Sequence, residues 1–250
     1  MRRYIDIQQL KELVEQGKSY AEISKIMSFN ETSLCRCYTK NYGIRKDRAA
    51  SYRQKIDISD EQEQVIFGSL LGDMNISRHV KTYRGTECHS IKQVEYLNYK
   101  KSLLNNLCGK EILETTIVNG RKYYKKVFCI RPNTNLKKLY ELFYYNNGKK
   151  DVPNDLALLT PLAVSMWFMD DGFVAKTQSG QNLGFSTCSF SFDGLYRLQS
   201  FFKEKYNIET IVRKNKYLIV RTNSCFALAK MIKPYMIPSM YYKLGKYIEC

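Results

Sequence analysis

Two apolar segments of this chain each run into aspartate: "IFGSLLGDM" at residues 66–74 and "VSMWFMDDG" at residues 164–172. Asp73 and Asp171 lie 98 residues apart, and Asp170 sits beside the second. An aspartate at the C-terminal end of a helix meets partial negative charge, at a cost of about 0.3–1 kcal/mol. One such residue beside a glycine is ordinarily a turn. Two at matching places imply a compensating cation, either a bound metal or a lysine. Paired carboxylates can hold a hard divalent cation such as Mg²⁺ through oxygen. Such a site can activate water and stabilise a leaving oxygen in phosphodiester hydrolysis.

The elements around these residues repeat. "EQEQVIFGSLLGDMNI" and "LALLTPLAVSMWFMDD" read as helices. Behind the first come basic alternating stretches, a helix "VEYLNYKKSLLNNL", a hairpin turning at Asn119-Gly120 and a helix "NLKKLYELFYY". Behind the second come strands around Ser179-Gly180, a helix "FDGLYRLQSFFKEKY", a hairpin across Lys214 to Lys216 and a helix "FALAKMIKPYMI". Each half reads αββαββα, an architectural repeat. Gly68 and Gly72, with Ser69 beside them, give the first helix a face of small residues, and Ser165 lies near the end of the second. Small residues let helix backbones approach closely. If these helices pack side by side, both carboxylates project from one end of the pair.

Residues 1–50 read as a separate helical unit. Ile7, Leu10, Leu13 and Val14 have helical spacing up to Gly17. Ser19 with Glu22 makes a capping box for a second helix. "ETSLCRCYTKNYG" makes a third, ending at Gly43. Helix, short turn, helix is the outline of a helix-turn-helix, with Thr32, Ser33, Arg36 and Lys40 suited to base edges and phosphates. An ordinary three-helix bundle has the same outline. The basic stretch "IRKDRAASYRQK" follows, a linker able to track a phosphate backbone. The expected domains are 1–50, a linker at 51–60, and two halves at 61–150 and 151–250.

Composition narrows the function. Forty Lys and Arg against 24 Asp and Glu give a net charge of +16, which points to nucleic acid as partner through counterion release. Hydrophobic residues make up 44%, enough for a sizeable core. There is no run of 18 apolar residues and no apolar signal core after "MRR", so neither a membrane span nor secretion is expected. The eight cysteines contain no CxxC pair and fit reduced thiols, in a cytoplasm or an organellar matrix. With His79 and His89 as the two histidines, hydrolysis is expected to rest on carboxylates, a metal and lysines.

The two aspartate segments resemble the paired motifs of LAGLIDADG homing endonucleases, in the single-chain, two-motif form. The first departs from the family consensus at Met74, where the consensus has glycine. "NNGKKDVPNDL" (146–156) and "IKPYMIPSMYYKL" (232–244) are similar to flanking segments of that family, and the resemblance spans roughly residues 60–245. It implies an α+β fold, with two pseudo-symmetric αββαββα halves packed through their motif helices. The saddle so formed would straddle a long double-stranded DNA target as a monomer. It also implies Mg²⁺-dependent cleavage of both strands across the minor groove, with Mn²⁺ able to substitute, leaving short 3′ overhangs. Asp73 and Asp171 would be the metal ligands, with Asp170 as helix-end support or an outer ligand. Lys150 (or its neighbour Lys149) and Lys243 would order the attacking water and stabilise charge on the phosphate.

Reading of DNA falls to strand residues: Arg78, Lys81, Arg84, Arg121, Lys122, Lys125 and Lys126 in one half, Lys176, Gln178, Gln181, Arg213, Lys214, Lys216 and Arg221 in the other. Strands alternate faces, so about half can face DNA. Two other readings use the same fold: a cleavage-silent DNA-binding regulator, and a maturase that binds its host intron RNA, for which 20 tyrosines offer stacking surfaces.

Overall fold

A computed structural model describes residues 4–42, 56–78, 82–177 and 180–249. Lys81 and Gln178, Gly43 with the basic linker after it, and Ser179 lie outside the described residues. The chain divides into two compact units, Met1–Gln54 and Lys55–Cys250.

In the first unit, α1 (Ile7–Glu15), α2 (Tyr20–Met27) and α3 (Glu31–Tyr42) pack around Leu10, Leu13, Ile23, Leu34 and Tyr38. The Ser19–Glu22 capping box forms at the start of α2. Ser28 takes a left-handed conformation to end that helix. Asn30 Oδ1 accepts the Ser33 N–H at 2.8 Å to start α3. Thr32, Arg36 and Lys40 are exposed at successive i, i+4 places on α3, while Leu34 and Tyr38 face inward.

The second unit follows the αββαββα pattern twice. Its first half is α4 (Asp60–Leu71), β1 (Asn75–Arg78), β2 (Tyr83–Ser90), α5 (Val94–Leu104), β3 (Cys108–Val118), β4 (Arg121–Ile130) and α6 (Lys137–Phe143). Its second half is α7 (Pro161–Asp171), β5 (Gly172–Thr177), β6 (Gly180–Ser186), α8 (Phe192–Tyr206), β7 (Thr210–Val212), β8 (Tyr217–Val220) and α9 (Thr222–Ile232), with a tail of 3-10 turns over Pro238–Glu249. Each half holds one antiparallel four-stranded sheet, ordered β1-β2-β4-β3 and β5-β6-β8-β7. The halves are unequal. The β3–β4 hairpin turns at Asn119 and Gly120, both at positive φ as the tight hairpin turn requires, and its strands have 11 and 10 residues. The β7 and β8 strands have only 3 and 4.

Helices α4 and α7 lie at the centre. Every residue of Val65–Leu71 and of Leu162–Met169 is buried, so both helices are covered on all sides. That explains why their sequences are apolar runs without a polar stripe. Helix α4 ends at Leu71 with Gly72 as its cap, so Asp73 lies just past the helix, not on its last turn. The small-residue face works as expected for Gly68: a Cβ there would stand 2.1 Å from the Ala163 carbonyl oxygen. The partner surface is the Ala163 backbone; Ser165 instead turns its hydroxyl back to the Leu162 carbonyl at 2.7 Å. Gly68→Ala should therefore cost about 2–3 kcal/mol of stability in urea unfolding, as overpacking of a tight core does. Unchanged stability would contradict the close approach.

Candidate metal centre and nucleic-acid interface

Asp73, Asp170, Asp171, Lys150 and Lys243 come together at the ends of α4 and α7. The negative end of each motif receives one lysine. The Lys150 ammonium donates to the carbonyl oxygens of Gly72 and Met74, both at 3.0 Å. The Lys243 ammonium donates to the carbonyl oxygen of Asp170 at 2.6 Å. Lys149, the alternative to Lys150, is exposed. Burial pulls the pKa of both Lys150 and Lys243 down, against the pull of the surrounding aspartates.

The two outer carboxylates behave as a site short of positive charge. Burial and then the like charge of Asp73 push the Asp171 carboxyl up to about 7. Asp73 is about half exposed, at 43% of its side chain. A hard divalent cation would relieve this repulsion, and the carboxylate oxygens of Asp73 and Asp171 would hold it. The sign of the pH dependence follows. A raised carboxyl pKa means that the contribution of Asp171 to stability is complete below its ordinary value of 3.8 and is lost as pH rises through about 7. The protein without metal should lose stability across that window, and Asp171→Asn should lose about 2 kcal/mol less. Urea midpoints at pH 4 and pH 8 measure this, and equal losses in the two proteins would contradict it.

Asp170 does something different from Asp171. It is buried against α5, where the Lys100 ammonium lies 2.8 Å from both its oxygens and the Tyr96 hydroxyl donates to Oδ1 at 2.8 Å. Lys100 also donates to Glu87 Oε1, and His89 Nε2 stands 2.5 Å from the same oxygen. Burial pushes Asp170 up to about 6 against the pull of Lys100, so it is ionised at neutral pH. Burial alone would lower the Lys100 pKa, but Asp170 and Glu87 outweigh it and the net shift is upward. For His89, burial likewise pulls down and the Glu87 hydrogen bond and charge pull up, with a net rise. With both oxygens engaged by Lys100, Asp170 ties the halves together: its Oδ2 faces the Asp73 N–H at 3.4 Å, and a Cβ on Gly72 would meet that oxygen at 2.4 Å. Asp73, His89 and Asp170 place one ligand atom each within 4.8 Å of one another.

Sequence reasoning passed over Glu87, His89, Tyr96 and Lys100. Hydrolysis is expected from the sequence to rest on carboxylates, a metal and lysines; the structure places His89 Nδ1 3.7 Å from Asp73 Oδ2. A signal was present. The β2 stretch "YRGTECHS" sets Glu87 and His89 two apart, on the same face as Tyr83 and Gly85, all buried. A carboxylate and an imidazole on the inward face of a strand are unusual enough to mark. The second half lacks the group. Asn75 pairs with Thr86, and Phe173 with Gly184, so Phe185 and Thr187 occupy the places of Glu87 and His89. There Trp167 stacks on Phe185 at 4.0 Å.

The sheets sort the proposed DNA-reading residues by face. Asp73, Cys88, Ser90, Thr116, Tyr123 and Lys125 line one groove. Arg121 alternates with Tyr123 and Lys125 and so shares that face, as does Arg84 two places from Thr86 and four from Cys88. Lys122 and Lys126 take the opposite face, and Lys126 pairs with Glu111 at 2.6 Å. Arg78 is exposed at the end of β1. In the second half Gln181 and Lys176 are cross-strand partners on the side covered by the C-terminal tail. Gln181 Oε1 accepts the Lys246 N–H at 3.1 Å. Lys216 donates to the Phe190 carbonyl at 2.9 Å, and Arg221 lies 3.9 Å from Glu209. Arg213 and Lys214 are exposed in the β7–β8 turn. Lys126, Gln181, Lys216 and Arg221 thus have protein partners, and the Arg84 guanidinium donates to Cys129 Sγ at 2.8 Å. The basic pattern shows positive charge but not which charges have internal partners.

No helix among the described residues is long and apolar enough to cross a membrane. Residues 63–224 match the LAGLIDADG DNA endonuclease family. The chain is 32% identical over 221 residues to the cytochrome b mRNA maturase bI2 of Debaryomyces hansenii, spanning 82% of this chain and 80% of that protein. It is 31% identical over 211 residues to the DNA endonuclease I-ChuI of Chlamydomonas applanata, spanning 76% and 97%. Among solved structures, the homing endonuclease I-WcaI bound to its DNA recognition sequence shares the fold with a TM-score of 0.69 at 23% identity, spanning 82% of this chain and 96% of that one. Two αββαββα halves with an aspartate closing each central helix, together with these matches, show that the chain belongs to the LAGLIDADG DNA endonuclease family.

Proposed function

We propose that this protein is a site-specific endonuclease that cuts both strands of a long duplex target across the minor groove, leaving short 3′ overhangs. The observation that carries it is the Asp73–Asp171 pair, short of positive charge, with one half-buried lysine at the end of each motif helix. Asp73 and Asp171 would hold a divalent cation, Mg²⁺ or Mn²⁺ in its place, which supplies Lewis acidity and an acidified water when bound. Lys150 and Lys243 hold the motif ends by their carbonyls, and their lowered pKa values suit them to order the attacking water and to receive charge from the phosphate. Arg84, Arg121 and Lys125 lie on the face that Asp73 shares, where arginine can read guanine and lysine can meet phosphate. In the N-terminal unit, Thr32, Arg36 and Lys40 form an exposed stripe suited to a second DNA contact. Removing residues 1–50 should weaken target binding by at least about tenfold through lost tethering, with the cleavage rate at saturation unchanged. Unchanged affinity in a gel-shift titration at moderate salt would contradict this.

The test of the main reading is cleavage of a large, sequence-diverse DNA pool with Mg²⁺, followed by capture and sequencing of the ends. A recurrent site with 3′ overhangs is expected. Ends no different from those of a mock incubation would overturn the endonuclease reading. A maturase reading has one observation in its favour, the similarity to the Debaryomyces hansenii maturase. A splicing assay with the host intron RNA decides it.

A further inference from the structure

Glu87 Oε1 accepts from the Lys100 ammonium, and His89 Nε2 lies 2.5 Å from that same oxygen. Lysine is a donor only, so Glu87 is an acceptor, and Nε2 must be the ring nitrogen that carries hydrogen. Nδ1, the atom turned toward Asp73, is then the ring nitrogen left to a cation, which would displace any proton from it. Its separation from Asp73 Oδ2 is 3.7 Å, too far for a hydrogen bond. Two acceptors that face each other at this distance leave room for a cation bonded at about 2.1 Å to each. A carboxylate behind one ring nitrogen and a lone pair on the other is the arrangement by which proteins orient a ligating histidine. The ring is 3% exposed, so its aim is fixed by packing. Beside it, Glu87 Oε2 is buried with no hydrogen-bond partner.

We propose that His89 Nδ1 is a ligand to the divalent cation at Asp73, so that the first half of the centre has an imidazole donor and the second half, with Thr187 in the matching place, has none. The proposal rests on reading the aspartate pair as a cation site. Asp170, engaged by Lys100, stands outside the ligand set. Imidazole suits Mn²⁺ and later transition ions better than the hard ions Mg²⁺ and Ca²⁺. The first-half site should therefore prefer Mn²⁺ over Ca²⁺, and that preference should depend on His89.

The test is pulsed electron paramagnetic resonance of Mn²⁺ added to the full chain, read for imidazole nitrogen coupling. The coupling is expected in the wild type and in His79→Gln, and lost in His89→Gln. Because wild type and His79→Gln suffice to assign it, the result does not depend on the His89 variant folding. In competition, His89→Gln should bind Mn²⁺ about tenfold more weakly and Ca²⁺ nearly as well. Bound Mn²⁺ without nitrogen coupling in the wild type would overturn the role of His89 while leaving the aspartate site standing. The absence of any bound Mn²⁺ would overturn both.

Discussion

Asp171→Asn should slow cleavage of the target by about a thousand-fold or more, a loss of roughly 4 kcal/mol of transition-state stabilisation, with little change in target binding. The reason lies in what surrounds this carboxylate. Asp171 is partly buried, beside Asp73, with its pKa raised to about 7. An amide in its place cannot carry the charge that a divalent cation requires, yet it has the same shape and leaves the strand faces untouched. Asp73→Asn should act in the same direction. Its loss also removes a carboxylate that raises the Asp171 pKa. Cleavage on the captured site, with binding measured separately in Ca²⁺, reads both variants. A cleavage rate within tenfold of wild type for either would contradict the assignment.

Lys100→Met should be the most destabilising single substitution in the second unit, at about 3–5 kcal/mol. Lys100 is fully buried and bonds Asp170 and Glu87 at once. Methionine keeps much of the side-chain length but leaves two like charges facing each other without compensation. The triple change Glu87→Gln, Lys100→Met, Asp170→Asn removes the charges together and should recover most of the loss, because breaking an ion cluster costs more than replacing it whole. Urea unfolding of the single and triple variants measures both effects. A loss under about 1 kcal/mol for Lys100→Met would show that the cluster is not the tie between the halves.

The ends of the motif helices were legible in the sequence because apolar runs that stop at aspartate are local. The same holds for the Asn119-Gly120 hairpin and for the cap at Ser19, each set by a few adjacent residues. The Gly68 contact was legible in kind but not in partner, since a small residue announces a close approach without saying to what. The Glu87–His89–Lys100–Asp170 cluster was not legible. Its members lie on β2, α5 and α7, and only the packing of one half against the other brings Asp170 to Lys100. The same limit applies to the basic residues. Nothing local to Gln181 or Lys126 announces the C-terminal tail or Glu111 that engages it.

The most direct measurement is diffraction from crystals grown with Mn²⁺ and the captured target, collected at a wavelength where manganese scatters anomalously. The expected result is an anomalous peak bonded by the carboxylates of Asp73 and Asp171 at the ends of α4 and α7. Cleaved DNA in the crystal with manganese at other positions and none at these aspartates would contradict the metal centre described above.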